Sequence, residues 1–233
     1  MTLTSRRAAL SAAVGLAAGA ALALPGCAKD GAGEADVSAT EDLMREHGVL
    51  RRLLVVYRGV APMLRTAPDK VDADALGEAA RLFKTFGEDY HEKKLEETHI
   101  FPQTQKAGGE AAALVPVLLQ QHESGRRITA FILAKCANGK VLTGDEEPLA
   151  RALESFAAMY EAHTAFEDTI VFQAWRKSLG AKALDEAGDQ FEDIEKATFH
   201  GDGFDMAVAR VAAIEQRLGL HDLARLTAPP VMG

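Results

Sequence analysis

Four long segments of the chain carry apolar residues at spacings of three and four, and every stripe contains a histidine. Val115, Leu118, His122, Gly125, Thr129, Ile132 and Cys136 follow that spacing without a break. Leu43, His47, Leu50, Leu54 and Tyr57 do the same, as do Leu76, Ala80, Phe83, Gly87 and His91. The last stripe runs Leu149, Ala152, Phe156, Tyr160, His163, Glu167, Ile170 and Ala174. Such spacing puts each set on one face of an α-helix, the pattern of helices packed side by side. β-branched alternation is absent, and 48% of residues are apolar, so the fold class is all-α with a substantial core.

Local signals set the boundaries. Ser38 and Glu41 form a capping box for the first helix, which Pro62 and Pro68 close. The second is predicted over about 72–101, ending at Pro102. The third spans about 109–136, stopped by Asn138-Gly139. Pro148 suits the first turn of the fourth, with Asp145 as its candidate cap. Two further helices are predicted over 181–198 and 204–218. Their acids, Asp185, Glu186, Asp189, Glu192, Asp193 and Glu195, read as a solvated face.

The four segments form two matching halves. His47-Gly-Val-Leu-Arg51-Arg52 pairs with His122-Glu-Ser-Gly-Arg126-Arg127, and Glu96-Glu97-Thr98-His99-Ile100-Phe101 pairs with Glu167-Asp168-Thr169-Ile170-Val171-Phe172. A duplicated helix pair is the economical reading. A single histidine on an apolar stripe is usually a hydrogen-bonded core residue. Four in corresponding places, with Glu96 and Glu167, point to a metal site, because buried imidazoles and carboxylates need compensation that cations supply. Imidazole with carboxylate suits iron, manganese or zinc, and two bridging carboxylates suit a pair of irons. His163 and Glu167 are four apart, about 400° of rotation, and share a face. His91 and Glu96 are five apart, about 500°, and diverge on a regular helix. A π-bulge would reunite them, and otherwise Glu92 or Glu97 would serve in place of Glu96.

The constellation His47, His91, Glu96, His122, His163 and Glu167, with Glu-Glu-Thr-His-Ile-Phe-Pro closing the second helix, resembles the hemerythrin-like, HHE cation-binding proteins over about residues 39–178. The resemblance implies an up-down four-helix bundle holding two iron ions in a non-haem di-iron centre that binds dioxygen. Carried over by position, His47 and His91 hold one iron, His122 and His163 the other, and Glu96 and Glu167 bridge. The chain departs from the oxygen-carrying members at Leu118, where they have a further histidine one turn before the third-helix ligand. Its His–carboxylate spacings of five then four also reverse the family's order. Both irons are thus expected to keep open positions for a small diatomic ligand, by binding or sensing of O2, NO or peroxide. The alternatives are a di-iron enzyme of peroxide or NO detoxification, or an iron-storage or structural bundle. Glu96-x-x-His99 also fits a ferritin-type pair, but that site needs the pair twice and the partner position is Ile170. His200 and His221 are expected at the surface. Arg51, Arg52, Arg126 and Arg127 are expected to point outward in ion pairs, the alternative being that they support the ligands, and Tyr57, Tyr90 and Tyr160 are expected to donate hydrogen bonds near the ligands.

The ends of the chain read differently. Residues 1–27 are expected to be an export signal: Ser5-Arg6-Arg7 resembles a twin-arginine motif, an apolar run follows, and Leu24-Pro25-Gly26-Cys27 resembles a lipoprotein cleavage box. Residues 28–37 form a polar linker, 38–179 the bundle and 180–233 a C-terminal helical extension. The protein is expected to be exported, periplasmic or membrane-anchored, with membrane attachment only through a lipidated Cys27. Two cysteines, Cys27 and Cys136, exclude a disulfide framework. A net charge of −8 without a basic block weighs against nucleic acid. The redox partner is not legible.

Overall fold

The structure, a computed structural model, describes residues 37–230, so the expected export signal and nearly all of the linker lie outside the described residues. Every regular element among the described residues is helical. Helix α1 is Ala39–Thr66, its start capped by the Ser38 hydroxyl, which accepts from the Glu41 N–H. It runs through Pro62 rather than ending there. Pro62 lies at an exposed position in the last turns, where losing one N–H costs little, and the chain breaks only at Ala67 before a short 3₁₀ turn, Pro68–Lys70.

The second long helix has three parts: α2 (Ala73–Leu82), a π-helical stretch (Phe83–Ile100) and α3 (Phe101–Ala107). Asp72 caps its start by accepting from the Ala75 N–H. Pro102 does not end it. The change of helical register at Phe101 makes Pro102 a first-turn residue of α3, and Gly108, at φ +77°, stops the helix instead. Helix α4 is Gly109–Cys136. Helix α5 (Glu146–Phe166) passes through a second π turn (Glu167–Val171) into α6 (Phe172–Ser178). Asp145 holds the N-cap position of α5 as expected but makes no side-chain capping bond; its carboxylate accepts from Lys135 at 2.7 Å.

α1 lies along α5, α2 and α3 lie along α4, and α4 lies against α5. Their predicted stripes meet in one core that includes Leu43, Leu50, Leu54, Tyr57, Phe83, Phe86, Val115, Ile132, Phe156 and Phe172. At Gly125 the side chain of Tyr160 comes so close that a Cβ would sit 2.2 Å from its hydroxyl oxygen, so only glycine lets α4 and α5 approach there. Helices α7 (Ala181–Phe199) and α8 (Gly203–Arg217) pack over α1 and the second long helix. Phe191 stacks on Trp175 at 5.8 Å, and Phe199 meets Tyr90 edge-on at 5.1 Å. One acid of the expected solvated face is not solvated: Glu195 is fully buried and accepts from the Phe204 N–H at 2.7 Å, tying α7 to the start of α8.

Candidate metal centre

The inward faces of the four long helices bring His47, His91, His122, His163, Glu96 and Glu167 together, each at most 3% exposed. The imidazoles form two pairs. His47 and His91 approach through their Nε2 atoms at 3.0 Å, and His122 and His163 at 3.1 Å. The two carboxylates lie between the pairs. Glu96 puts Oε1 3.3 Å from His91 Nε2 and Oε2 3.4 Å from His122 Nε2. Glu167 puts Oε2 3.5 Å from His47 Nε2 and 3.0 Å from His163 Nε2. Each carboxylate therefore touches one imidazole of each pair.

The π-helical stretch puts Glu96 in this position. Bonding to the fifth residue back makes the five-residue step from His91 to Glu96 about one turn, as the expected bulge required. The Phe101 N–H bonds the Glu96 carbonyl, and the Phe172 N–H bonds the Glu167 carbonyl in the same way. The sequence repeat is thus also a repeat of backbone register.

Every Nδ1 faces outward to an acceptor: His47 to Asp168 at 2.7 Å, His91 to Glu46 at 2.6 Å, His122 to Glu97 at 2.8 Å and His163 to the Gln121 amide oxygen at 2.9 Å. Such partners fix the ring and the tautomer of a ligating histidine. Each is the chain neighbour of an inward residue on another helix: Glu46 beside His47, Asp168 beside Glu167, Glu97 beside Glu96, Gln121 beside His122. Arg51 ion-pairs with Asp168, and Arg126, its counterpart in the repeat, with Glu97. Both arginines are ion-paired as expected, and the partners they hold are the outer acceptors of the imidazoles. Arg52 does point outward, to Glu215 on α8, and Arg127 is exposed. Tyr90 donates to Glu46 and Tyr160 to Glu92, whereas the buried Tyr57 hydroxyl has no hydrogen-bond partner. His99 packs against Phe191 away from the cluster, and His200 and His221 are exposed. Sequence reading missed Glu46, Asp168, Glu97 and Gln121 as outer partners; their adjacency to inward residues was the available signal.

The donor set fits cations. Both oxygens of Glu96 and both of Glu167 are buried without a hydrogen bond. Such groups cost on the order of several kcal/mol each unless compensated. When Nδ1 donates outward, both Nε2 atoms of a neutral pair present lone pairs to each other near 3 Å, an arrangement a cation between them relieves. Without one, protons substitute. Burial disfavours the charged form of His122, yet Glu92, Glu96 and Glu97 raise its pKa to about 10. Burial opposes ionisation of Glu96, but the charges of His91 and His122 hold its carboxyl well below the usual range. Burial and then the charge of Glu96 push Glu167 well above it. Burial and the charge of His122 drive His163 down to about 3. A bound cation would displace these protons. Two groupings of side chains are close enough to share an ion, His47–His91–Glu96 and Glu96–His122–His163–Glu167, and they meet at Glu96. A third, Glu92–Glu97–His122, uses the outer face of His122 and is already occupied by Arg126 and Tyr160.

A helical bundle with buried histidines and carboxylates converging from four helices defines a class of cation-binding helical proteins. The chain belongs to the hemerythrin HHE cation binding domain family, whose match covers residues 38–175. It is 40% identical over 195 residues, 83% of its own length and 75% of theirs, to uncharacterized proteins of Mycobacterium bovis and of two Mycobacterium tuberculosis strains. No solved structure matches it significantly.

Proposed function

We propose that the chain is an up-down four-helix bundle holding a non-haem di-iron centre that binds dioxygen or a related small molecule. In this reading His47 and His91 serve one iron, His122 and His163 the other, and Glu96 and Glu167 bridge. The observation that supports it is that each of the two bare, buried carboxylates touches one imidazole of each pair. A pair of irons, when bound, supplies redox equivalents and open coordination positions that a neutral diatomic ligand can take. The protein's own share is to hold four imidazoles in one tautomer through Asp168, Glu46, Glu97 and Gln121, and to keep water out with Phe101, stacked on His122 at 5.6 Å, and Phe172, stacked on His47 at 5.3 Å. Leu118 is buried where the oxygen carriers have a further histidine, so the second iron would be held by two imidazoles rather than three. Adding oxygen, NO or azide to the anaerobically reduced, iron-loaded protein should change its visible spectrum, and indifference to all three would refute small-molecule binding.

Export as a twin-arginine substrate, with lipidation of Cys27, belongs to the same proposal. Among the described residues no helix is long and apolar enough to cross a membrane. Replacing Arg6 and Arg7 by Lys should hold the protein in the cytoplasm, and Cys27→Ser should release it from the membrane fraction. Membrane attachment that survives Cys27→Ser would contradict the lipid anchor.

A further inference from the structure

His47 and His122 each have a carboxylate as outer partner, Asp168 and Glu97, but the other two imidazoles differ in the charge of theirs: His91 has Glu46, whereas His163 has Gln121. The repeat also defines two equivalent grooves. In the first half the groove lies between α1 and the second long helix, at Ala39, Asp42, Leu43, Glu46 and Tyr90. The C-terminal extension fills it: α7 packs on both walls, Phe199 meets Tyr90 at 5.1 Å, and Arg45 lies over Phe204 at 4.3 Å. The equivalent groove of the second half lies between α4 and α5, and neither α7 nor α8 makes an extended contact there. It is a cleft of about 250 Å³ walled by Leu114, Val117, Leu118, Ala162 and Phe166, with Gln121 and His163 also lining it. Val117 is 51% and Phe166 49% exposed, whereas Leu118 is buried. The cleft thus runs from solvent to a ring of the site, and His163 is the most exposed of the four imidazoles at 3%.

We infer that this cleft is the port through which a small neutral molecule reaches the His122–His163 side of the centre, and that the C-terminal extension makes the site one-sided by filling the equivalent groove. The inference rests on the di-metal reading above. Its walls contain no charged residue, so it selects uncharged, weakly hydrated molecules over anions. Gln121 places a neutral amide at the inner end where a carboxylate stands in the other half, which removes the negative charge that would order water there.

Two measurements test it. In crystals of the full chain under xenon pressure, xenon should occupy the inner part of the cleft, because xenon partitions from water onto apolar walls such as Leu114, Leu118 and Phe166; Val117→Trp and Ala162→Trp should remove that density. In stopped flow with NO and the reduced, iron-loaded protein, the same variants should slow association by about tenfold. Iron content and resting spectrum should stay those of wild type. Gly48→Trp is the size-matched control: Gly48 is exposed beside His47, nothing lies within 4 Å of an added Cβ, and its rate should be unchanged. Equal rates in all four proteins, equal slowing by Gly48→Trp, or a cleft without xenon would overturn the port. So would a dimer in sedimentation that Val117→Trp dissolves, since a second copy would then cover the cleft. Absence of iron from wild type would instead refute the di-metal reading, and xenon would still report the cleft.

Discussion

The backbone N–H of Phe101 bonds the carbonyl of Glu96, five residues back rather than four. The same π register already runs through residues 91–96, whereas 163–166 is still α-helical, and it lets His91 and Glu96, one residue further apart than His163 and Glu167, face the same cluster. π turns are less favourable than α turns and commonly persist at functional sites. Deleting exposed Lys94 should let this stretch relax toward α register with His91 and the Glu96 carboxylate four apart. The variant should keep its metal and melt at a higher temperature. Inserting an alanine after Lys94 should cost most of the bound metal. Metal analysis and thermal melts of both variants check this, and a deletion that loses metal while the insertion keeps it would contradict it.

The outer acceptors should matter nearly as much as the inward residues. Asp168→Asn and Glu97→Gln each remove the charge that orients an imidazole and pairs with Arg51 or Arg126. Metal affinity should fall about 10–100-fold in each by competitive chelator titration. Arg52→Leu, which breaks only the outward pair with Glu215, should leave affinity unchanged.

Glu88 gives a pH signature from a carboxylate outside the cluster. It is 2% exposed, and burial pushes its carboxyl above the usual range against the pull of Thr129, Lys84 and Arg126. The folded chain then binds this proton more tightly than the unfolded one, so stability from Glu88 is present at low pH and lost as pH rises through its folded pKa. Glu88→Gln should therefore raise the melting temperature at pH 8 and leave it nearly unchanged at pH 4, which thermal melts at both values would show. Destabilisation at pH 8 would mean that the charged form is the one the fold accommodates.

Much of this was legible in the sequence for a simple reason: burial of one stripe per helix imposes a period that survives in the residues. The stripes ending at Tyr57, His91, Cys136 and Ala174 located the four long helices, and the histidines within them located the cluster. Prolines misled at two places. Pro62 is harmless because it faces solvent in a helix already nearing its end, and Pro102 becomes a first-turn residue once the register changes at Phe101. Neither is visible from spacing. Glu195 looked like its neighbours because its burial depends on α8 folding back over α7. The outer acceptors were hidden because an acid beside an inward residue reads as a charged flank until the facing helix is in place. The repeat did carry them: Arg51 with Asp168 and Arg126 with Glu97 occupy matching positions in both halves.

The central claim is that six side chains from four helices hold two metal ions. The most direct test is metal content of the purified protein, produced with iron available, for wild type and for His47→Ala, His91→Ala, His122→Ala, His163→Ala and His200→Ala. About two irons per chain are expected in wild type and in His200→Ala, where the lost side chain is an exposed residue capping α7. Each of the other four should lose metal while remaining helical by circular dichroism. Full iron occupancy in His122→Ala and His163→Ala, or a wild-type protein that takes up no metal, would contradict it.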